Sequence, residues 1–201
     1  MMTPLLFNLK NKKVLVVGGG TVATRRVVTL LESGAQVLCV SPVFSVWLQK
    51  AQDIKNELTL IFGIYKPNYL EDVDLAVAAT NQEIINDQIK LDCQARRIWC
   101  NRVDNPEDSD FIFPSVIRRG DLTLSVCTEG ASPFLTKAIM DDLSQRYDES
   151  YTERTALLRE CRKKILENKN QKSASRQSLK ELARYSIEEL KEYLTKDERV
   201  L

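Results

Sequence analysis

KVLVVGGGTVATRRVVTLLE, residues Lys13 to Glu32, reads as a strand, a tight turn and a helix in direct succession. Val14 to Val17 is an unbroken apolar run of buried-strand length, and three glycines end it before a helical pattern sets in. Gly18, Gly20 and Ala23 fit the dinucleotide fingerprint G-x-G-x-x-G/A. In that fingerprint the first glycine makes the turn, the second lets backbone approach a pyrophosphate, and the third small residue lets the helix pack close to its strand. The helix is expected to start near Thr21, aiming free N–H groups and its positive dipole end at phosphate, with Val22, Val27, Val28, Leu30 and Leu31 facing the sheet. A glycine-rich turn without a ligand is the plainer reading. The strand before the glycines and the amphipathic helix after them favour a nucleotide site.

The rest of the chain narrows the chemistry. With 201 residues there is room for one full domain and a smaller appendage, and 43% hydrophobic residues is ordinary for a folded globular protein. A formal net charge of +1 gives no general attraction to nucleic acid or to an anionic membrane. No apolar run has the length of a membrane span, and MMTPLLFNLKNKK has too short an apolar core for a secretory signal, so a cytoplasmic location is expected. The five cysteines (Cys39, Cys93, Cys100, Cys127, Cys161) contain no C-x-x-C and read as buried thiols, with no metal site expected. Histidine is absent, which removes the commonest general base and every Ser-His or Cys-His mechanism. Catalysis must then rest on carboxylates, hydroxyls, cations or a cofactor.

Pro4 to Phe7 forms an apolar arm expected to pack on a sheet edge. Ser33-Gly34 stops the first helix, and Gln36 to Val40 is a second buried strand, completing a βαβ unit. Where many NAD-binding folds carry an acidic residue for the ribose, this chain has Val40-Ser41-Pro42. No Arg or Lys follows until Lys50 to receive a 2′-phosphate, which leans toward NAD over NADP. Phe44 to Ala51 reads as a short helix, Leu58 to Phe62 as a third strand, Asp74 to Thr80 as a fourth, Gln82 to Ala95 as a helix and Ile98 to Asn101 as a fifth strand. The small residues Ala78, Ala79 and Thr80 end the fourth strand on the side where parallel sheets bind ligands; Thr80 either approaches the cofactor or caps the next helix. From Ser109 the pattern becomes alternating, and Val116 to Val126 reads as a hairpin. Ser132 and Pro133 open a helix expected to reach about Tyr147, followed by helices over Tyr151 to Leu166 and Leu179 to Leu194 with an exposed linker, Asn168 to Ser178, between them.

Five motifs in order, GGGTVATRR from Gly18, AATN from Ala78, NRVDNP from Asn101, FIFPSVIRRG from Phe111 and GASPFL from Gly130, resemble the precorrin-2 dehydrogenase family, the N-terminal module of siroheme synthases. The resemblance runs from Leu6 to about Tyr147. It implies an α/β fold, a Rossmann-type parallel sheet over residues 1–113 with a small α+β dimerisation region over 114–147, and the amphipathic helices beyond add a C-terminal helical region over 148–201. The implied activity is NAD-dependent oxidation of precorrin-2 to sirohydrochlorin in a homodimer, with no nucleic-acid or membrane partner. The methyltransferase module of long trifunctional members is not seen, so only the later step or steps are expected. A bifunctional enzyme that also inserts iron is the alternative; an NAD-binding redox sensor using the same fold is a third reading.

NAD is expected across Gly18, Gly20, Thr21, Val22, Pro42 and Val43, with Thr80 nearby. By composition alone Asp104 is a turn former before Asn105-Pro106; the resemblance makes it the general base that takes a proton as hydride leaves for the nicotinamide. Arg102 stands where the family more often has an apolar residue. Precorrin-2 carries eight carboxylates, and Arg118, Arg119 and Lys137 are the candidate cations, with paired arginines at a turn equally readable as solvated surface. Ser132 is both an N-cap and part of a helix start able to receive a substrate carboxylate. Glu129 and Ala131 replace a glycine and a polar residue more usual in the family, a change expected to narrow the substrate pocket.

Overall fold

The computed structural model describes residues 2–167 and 174–195, which form two compact units divided between Phe113 and Pro114. The first unit is built on five strands: β1 (Lys13–Val17), β2 (Gln36–Ser41), β3 (Leu58–Phe62), β4 (Leu75–Ala78) and β5 (Trp99–Arg102). All pair in parallel in the order β3-β2-β1-β4-β5, with Val14 opposite Val37 on one side and Leu75 on the other. A parallel sheet covered on both faces needs apolar residues at consecutive positions. Val14, Leu15, Val16 and Val17 meet that demand, each at most 3% exposed.

Successive residues of β1 therefore feed two cores. Val14 and Val16 join Ala23, Val27 and Leu30 of helix α1 (Thr21–Glu32) and Leu48 of α2 (Val46–Gln52). Leu15 and Val17 join Ile89 and Cys93 of α3 (Glu83–Arg96) on the opposite face. Fully burying side chains of this size contributes about 1.5–3 kcal/mol each. The inward stripe of α1 is led by Ala23. Val22, expected against the sheet, lies on another face and is exposed, because Ala23, Val27 and Leu30 already occupy the i, i+4, i+7 positions. In the N-terminal arm Phe7 sets its ring edge against Trp99 of the edge strand β5, with centroids 5.5 Å apart, while Leu5 and Leu6 are exposed. Cys39, Cys93, Cys100 and Cys161 are buried free thiols and Cys127 is exposed; burial pushes the Cys39 thiol up to about 12.

The second unit opens with an antiparallel hairpin of β6 (Ser115–Arg119) and β7 (Leu122–Val126). Gly120 makes its turn at φ +56°, and a Cβ there would lie 2.9 Å from Thr155 Oγ1, so both conformation and space call for glycine. Helices α4 (Pro133–Arg146) and α5 (Ser150–Glu167) follow. The expected helix over Leu179 to Leu194 is two helices, α6 (Ala174–Leu182) and α7 (Ile187–Thr195). Ser186 accepts from Glu189 N while its own N–H donates to the Glu189 carboxylate, a capping box that starts α7 afresh. Of the expected linker, residues 174–178 are helical and residues 168–173 lie outside the described residues. Cys161, Leu182 and Leu190 form a small core among α5, α6 and α7.

Candidate active site

Strand order reverses at β1: the chain passes to β2 on one side and returns to β4 on the other. Open parallel sheets bind ligands in the crevice beyond the C-terminal strand ends at such a reversal. Here the crevice is bordered by the turn after Val17, the Ser41–Val43 corner after β2, and Ala79-Thr80 after β4. Gly18 has φ +129°, and a Cβ on it would fall 2.2 Å from the Ala79 carbonyl oxygen. A Cβ on Gly19 would fall 2.0 Å from the Val43 carbonyl oxygen. Gly20 differs: nothing lies within 4 Å of the Cβ position, and the residue is exposed. The first two glycines are required by the protein's own packing, while the third leaves open space at the start of α1.

That start is also electrostatically unfinished. Gly20 is the N-cap of α1 and supplies no side-chain acceptor, and the first turn holds no acidic residue. By contrast Ser45 caps α2 through Leu48 N, and Ser132 caps α4 through Leu135 N. The N–H groups of the first turn of α1 therefore point at the empty volume beside Gly20, where an anion would satisfy them. Thr21 and Val22 are exposed there, as are Pro42 and Val43 across the crevice. Ser41 donates to the Val43 carbonyl at 2.8 Å, which holds the corner against Gly19. These residues fit a dinucleotide: tight backbone, open helix terminus, and no acidic side chain in the way.

Thr80 does not cap α3, whose N-cap is Gln82 and lacks a side-chain bond. Its hydroxyl instead donates to Asn86 Oδ1 at 2.7 Å, and Asn86 returns Nδ2 to the Thr80 carbonyl at 3.2 Å. Asn86 is fully buried, and its amide also favours the ionised form of the Asp104 carboxyl. Asn86 thus ties down Thr80 at the crevice on the side of Asp104, which follows β5 on the same edge of the sheet. Sequence reasoning missed Asn86; the available signal was a polar residue among the apolar positions of α3.

Arg102 is the second unforeseen participant. Its guanidinium, 3% exposed, holds Asp104 through both carboxylate oxygens, at 3.3 Å from Nε and 3.0 Å from a terminal nitrogen. The other terminal nitrogen meets Asp108 at 3.0 Å and Asp87 of α3. Three carboxylates surrounding one buried cation raise its pKa, Asp104 contributing most. For Asp104 burial works against ionisation, but the bonds from Arg102 and Asn86 outweigh it and hold the carboxyl below the usual range. Asp104 is therefore a fixed carboxylate, with acceptor capacity left beyond the two bonds from Arg102.

The four candidate substrate residues all lie in the second unit. Arg118 and Lys137 are exposed. Arg119 is largely enclosed, donating to the Arg118 carbonyl at 2.9 Å and meeting Glu149 at 3.3 Å. Ser132 serves as the α4 cap. Along α4 no side chain is buried, and Phe134 is 87% exposed. No helix among the described residues is long and apolar enough to cross a membrane, and no cluster of three or more His, Cys, Asp or Glu among them could hold a metal ion.

Residues 5–115 match a family model described as "Putative NAD(P)-binding". A precorrin-2 dehydrogenase of Priestia megaterium is 38% identical over 161 residues, covering 80% of this chain and 79% of that one. Siroheme synthase 2 of Klebsiella pneumoniae is 39% identical over 144 residues, 70% of this chain but only 30% of the longer synthase. A solved structure of SirC, a precorrin-2 dehydrogenase, superposes with a TM-score of 0.85 at 35% identity, covering 98% of this chain and 100% of that one. With the strand order, the open glycine turn and these relatives in agreement, the chain belongs to the precorrin-2 dehydrogenase family, whose fold it shares with the matching segment of the siroheme synthases.

Proposed function

We propose that this protein oxidises precorrin-2 to sirohydrochlorin, with NAD as the hydride acceptor. The observation that carries the reading is the crevice at β1/β4: open at Gly20, lined by unpartnered N–H groups of α1, bordered by Thr80 bonded to Asn86, and with the Asp104 carboxylate held by Arg102 after β5 on the same edge of the sheet. The family membership supplies the substrate and the direction of the reaction.

NAD, when bound, supplies the two-electron sink. The backbone N–H groups of Gly20, Thr21 and Val22 would hold its pyrophosphate, Gly18 gives the turn its room, and Pro42 and Val43 would hold its adenosine ribose. Thr80 would contact its nicotinamide half. Forming the new double bond in the macrocycle removes one hydride and one proton. Asp104 takes the proton from substrate nitrogen or carbon, held in position by Arg102 and Asn86. Arg118, Arg119, Lys137 and the α4 start at Ser132 are the groups of the second unit suited to substrate carboxylates. The protein works as a homodimer in the cytoplasm, and the uncovered apolar residues of α4, Phe134 and Leu135 among them, supply the contact between copies. Incubation with NAD and precorrin-2, followed by the absorbance of sirohydrochlorin, tests the reading. No gain in rate over a protein-free control would refute it.

A further inference from the structure

Arg26 lies in the second turn of α1, four residues after Val22 and so on the same stripe of the helix. Its guanidinium stacks on the Phe113 ring, 4.5 Å from the centroid. The residue is half-buried, and its Nε is sealed from solvent without a hydrogen-bond partner. No carboxylate pairs with it among the described residues. The other enclosed cations of the same unit behave differently: Lys90 meets Asp110 at 2.7 Å, and Arg102 has three aspartates. The charged neighbour that acts on Arg26 is Arg25, which with burial disfavours the cationic form. A partly desolvated cation with no counter-ion is costly, and proteins ordinarily pair such groups.

We infer that Arg26 binds one carboxylate of the tetrapyrrole substrate, an anchor in the dinucleotide-binding unit itself. The inference rests on the function proposed above. The chemistry suits a carboxylate: the ring of Phe113 lies against the guanidinium and restrains it, and with Nε sealed the two terminal nitrogens are left as the donors for two parallel hydrogen bonds. Cofactor phosphate is the poorer occupant, since the free N–H groups that suit it belong to the first turn of α1 and Arg26 stands one turn, about 5.4 Å, further along. The same stripe carries exposed Val22 at the crevice, so a substrate edge lying beside the nicotinamide would bring a peripheral carboxylate past Val22 to Arg26.

The test compares the parent with Arg26→Gln and Arg26→Lys, each saturated with NAD. Tryptophan fluorescence titration would use two probes: sirohydrochlorin, which carries the free carboxylates, and its octamethyl ester, which carries none. Arg26→Gln should bind the acid about tenfold more weakly and Arg26→Lys less so. Ester affinity, NAD affinity and melting temperature should stay at parental values, and the KM for precorrin-2 should rise by the factor seen in the acid titration. Packing on Phe113 alone would not separate acid from ester. Unchanged acid affinity in Arg26→Gln, or a parallel loss of NAD affinity, overturns the inference. A parent that neither binds nor oxidises the tetrapyrrole removes the proposed function and the anchor together, whereas an active parent matched by Arg26→Gln removes the anchor alone.

Discussion

Replacing Arg102 by Met should destabilise the protein in a way that depends on pH. The substitution keeps an apolar stem of similar length and deletes the cation shared by Asp87, Asp104 and Asp108. Removing one side of a buried ion pair costs about 3–5 kcal/mol when the remaining charge stays dry. Here the three carboxylates are 50%, 28% and 42% exposed, so water takes over part of the task and about 2–3 kcal/mol is the better expectation at pH 7. For a chain of this size that lowers the melting temperature by about 5–10 °C. Asp104 ionises more readily folded than unfolded, so its pairing stabilises above the unfolded value, about 3.9, and the contribution fades as pH falls through the lower folded value. In Arg102→Met Asp104 is left beside two aspartates without the cation, and protonating Asp104 relieves that repulsion. The deficit should therefore be largest near neutrality and shrink between about pH 5 and pH 3. Differential scanning calorimetry of both proteins at pH 7 and pH 4 measures it. An equal deficit at the two pH values would mean that Arg102 acts through packing, and no deficit would mean that the cluster carries no stability.

Three further predictions concern the crevice, the base and the assembly. Gly20→Asp should cut NAD affinity at least tenfold with little change in melting temperature, because the space is open but the charge repels phosphate; Gly19→Ala should instead cost roughly 1–3 kcal/mol of stability, since its Cβ collides with the Val43 carbonyl. Calorimetric NAD titration and thermal melts separate the two outcomes. Asp104→Asn should slow sirohydrochlorin formation roughly a hundredfold while NAD affinity holds, and full activity would remove Asp104 as the base. Sedimentation should give twice the 23.0 kDa chain mass, and Phe134→Glu should shift it toward the monomer; a parental monomer at micromolar concentration would contradict the proposed assembly.

The strands were legible because a sheet buried on both faces imposes continuous apolar runs, as in Val14 to Val17, and the hairpin because one covered face imposes alternation, as in Leu122, Leu124 and Val126. The break between α6 and α7 carried its own signal, the Ser186 to Glu189 capping box, but the apolar period runs on through Leu182, Tyr185 and Leu190 and hides it. The fingerprint assigned Gly18, Gly20 and Ala23 but was silent on Gly19, whose need for glycine comes from the Val43 carbonyl pressed against it, a contact across the fold that no local pattern marks. The Arg102 network was beyond reach for a different reason. Its partners come from α3, from the loop after β5 and from the turn at Pro106–Asp108, so no local pattern marks them as neighbours.

The placement of β1 at the centre of the sheet has a consequence for how the chain is made. Its partner on one side, β2, follows within a few residues of α1, but its partner on the other side, β4, is not synthesised until the whole stretch from Pro42 to Asp74 has been added. At about 5–20 residues per second, translation leaves that edge of Val14 to Val17 without hydrogen-bond partners for roughly two to seven seconds. An apolar edge of this kind is a template for pairing with another nascent chain. Slow codons placed after Ser41 would lengthen the exposure and lower the soluble yield, whereas slow codons placed after Arg102 would leave it unchanged.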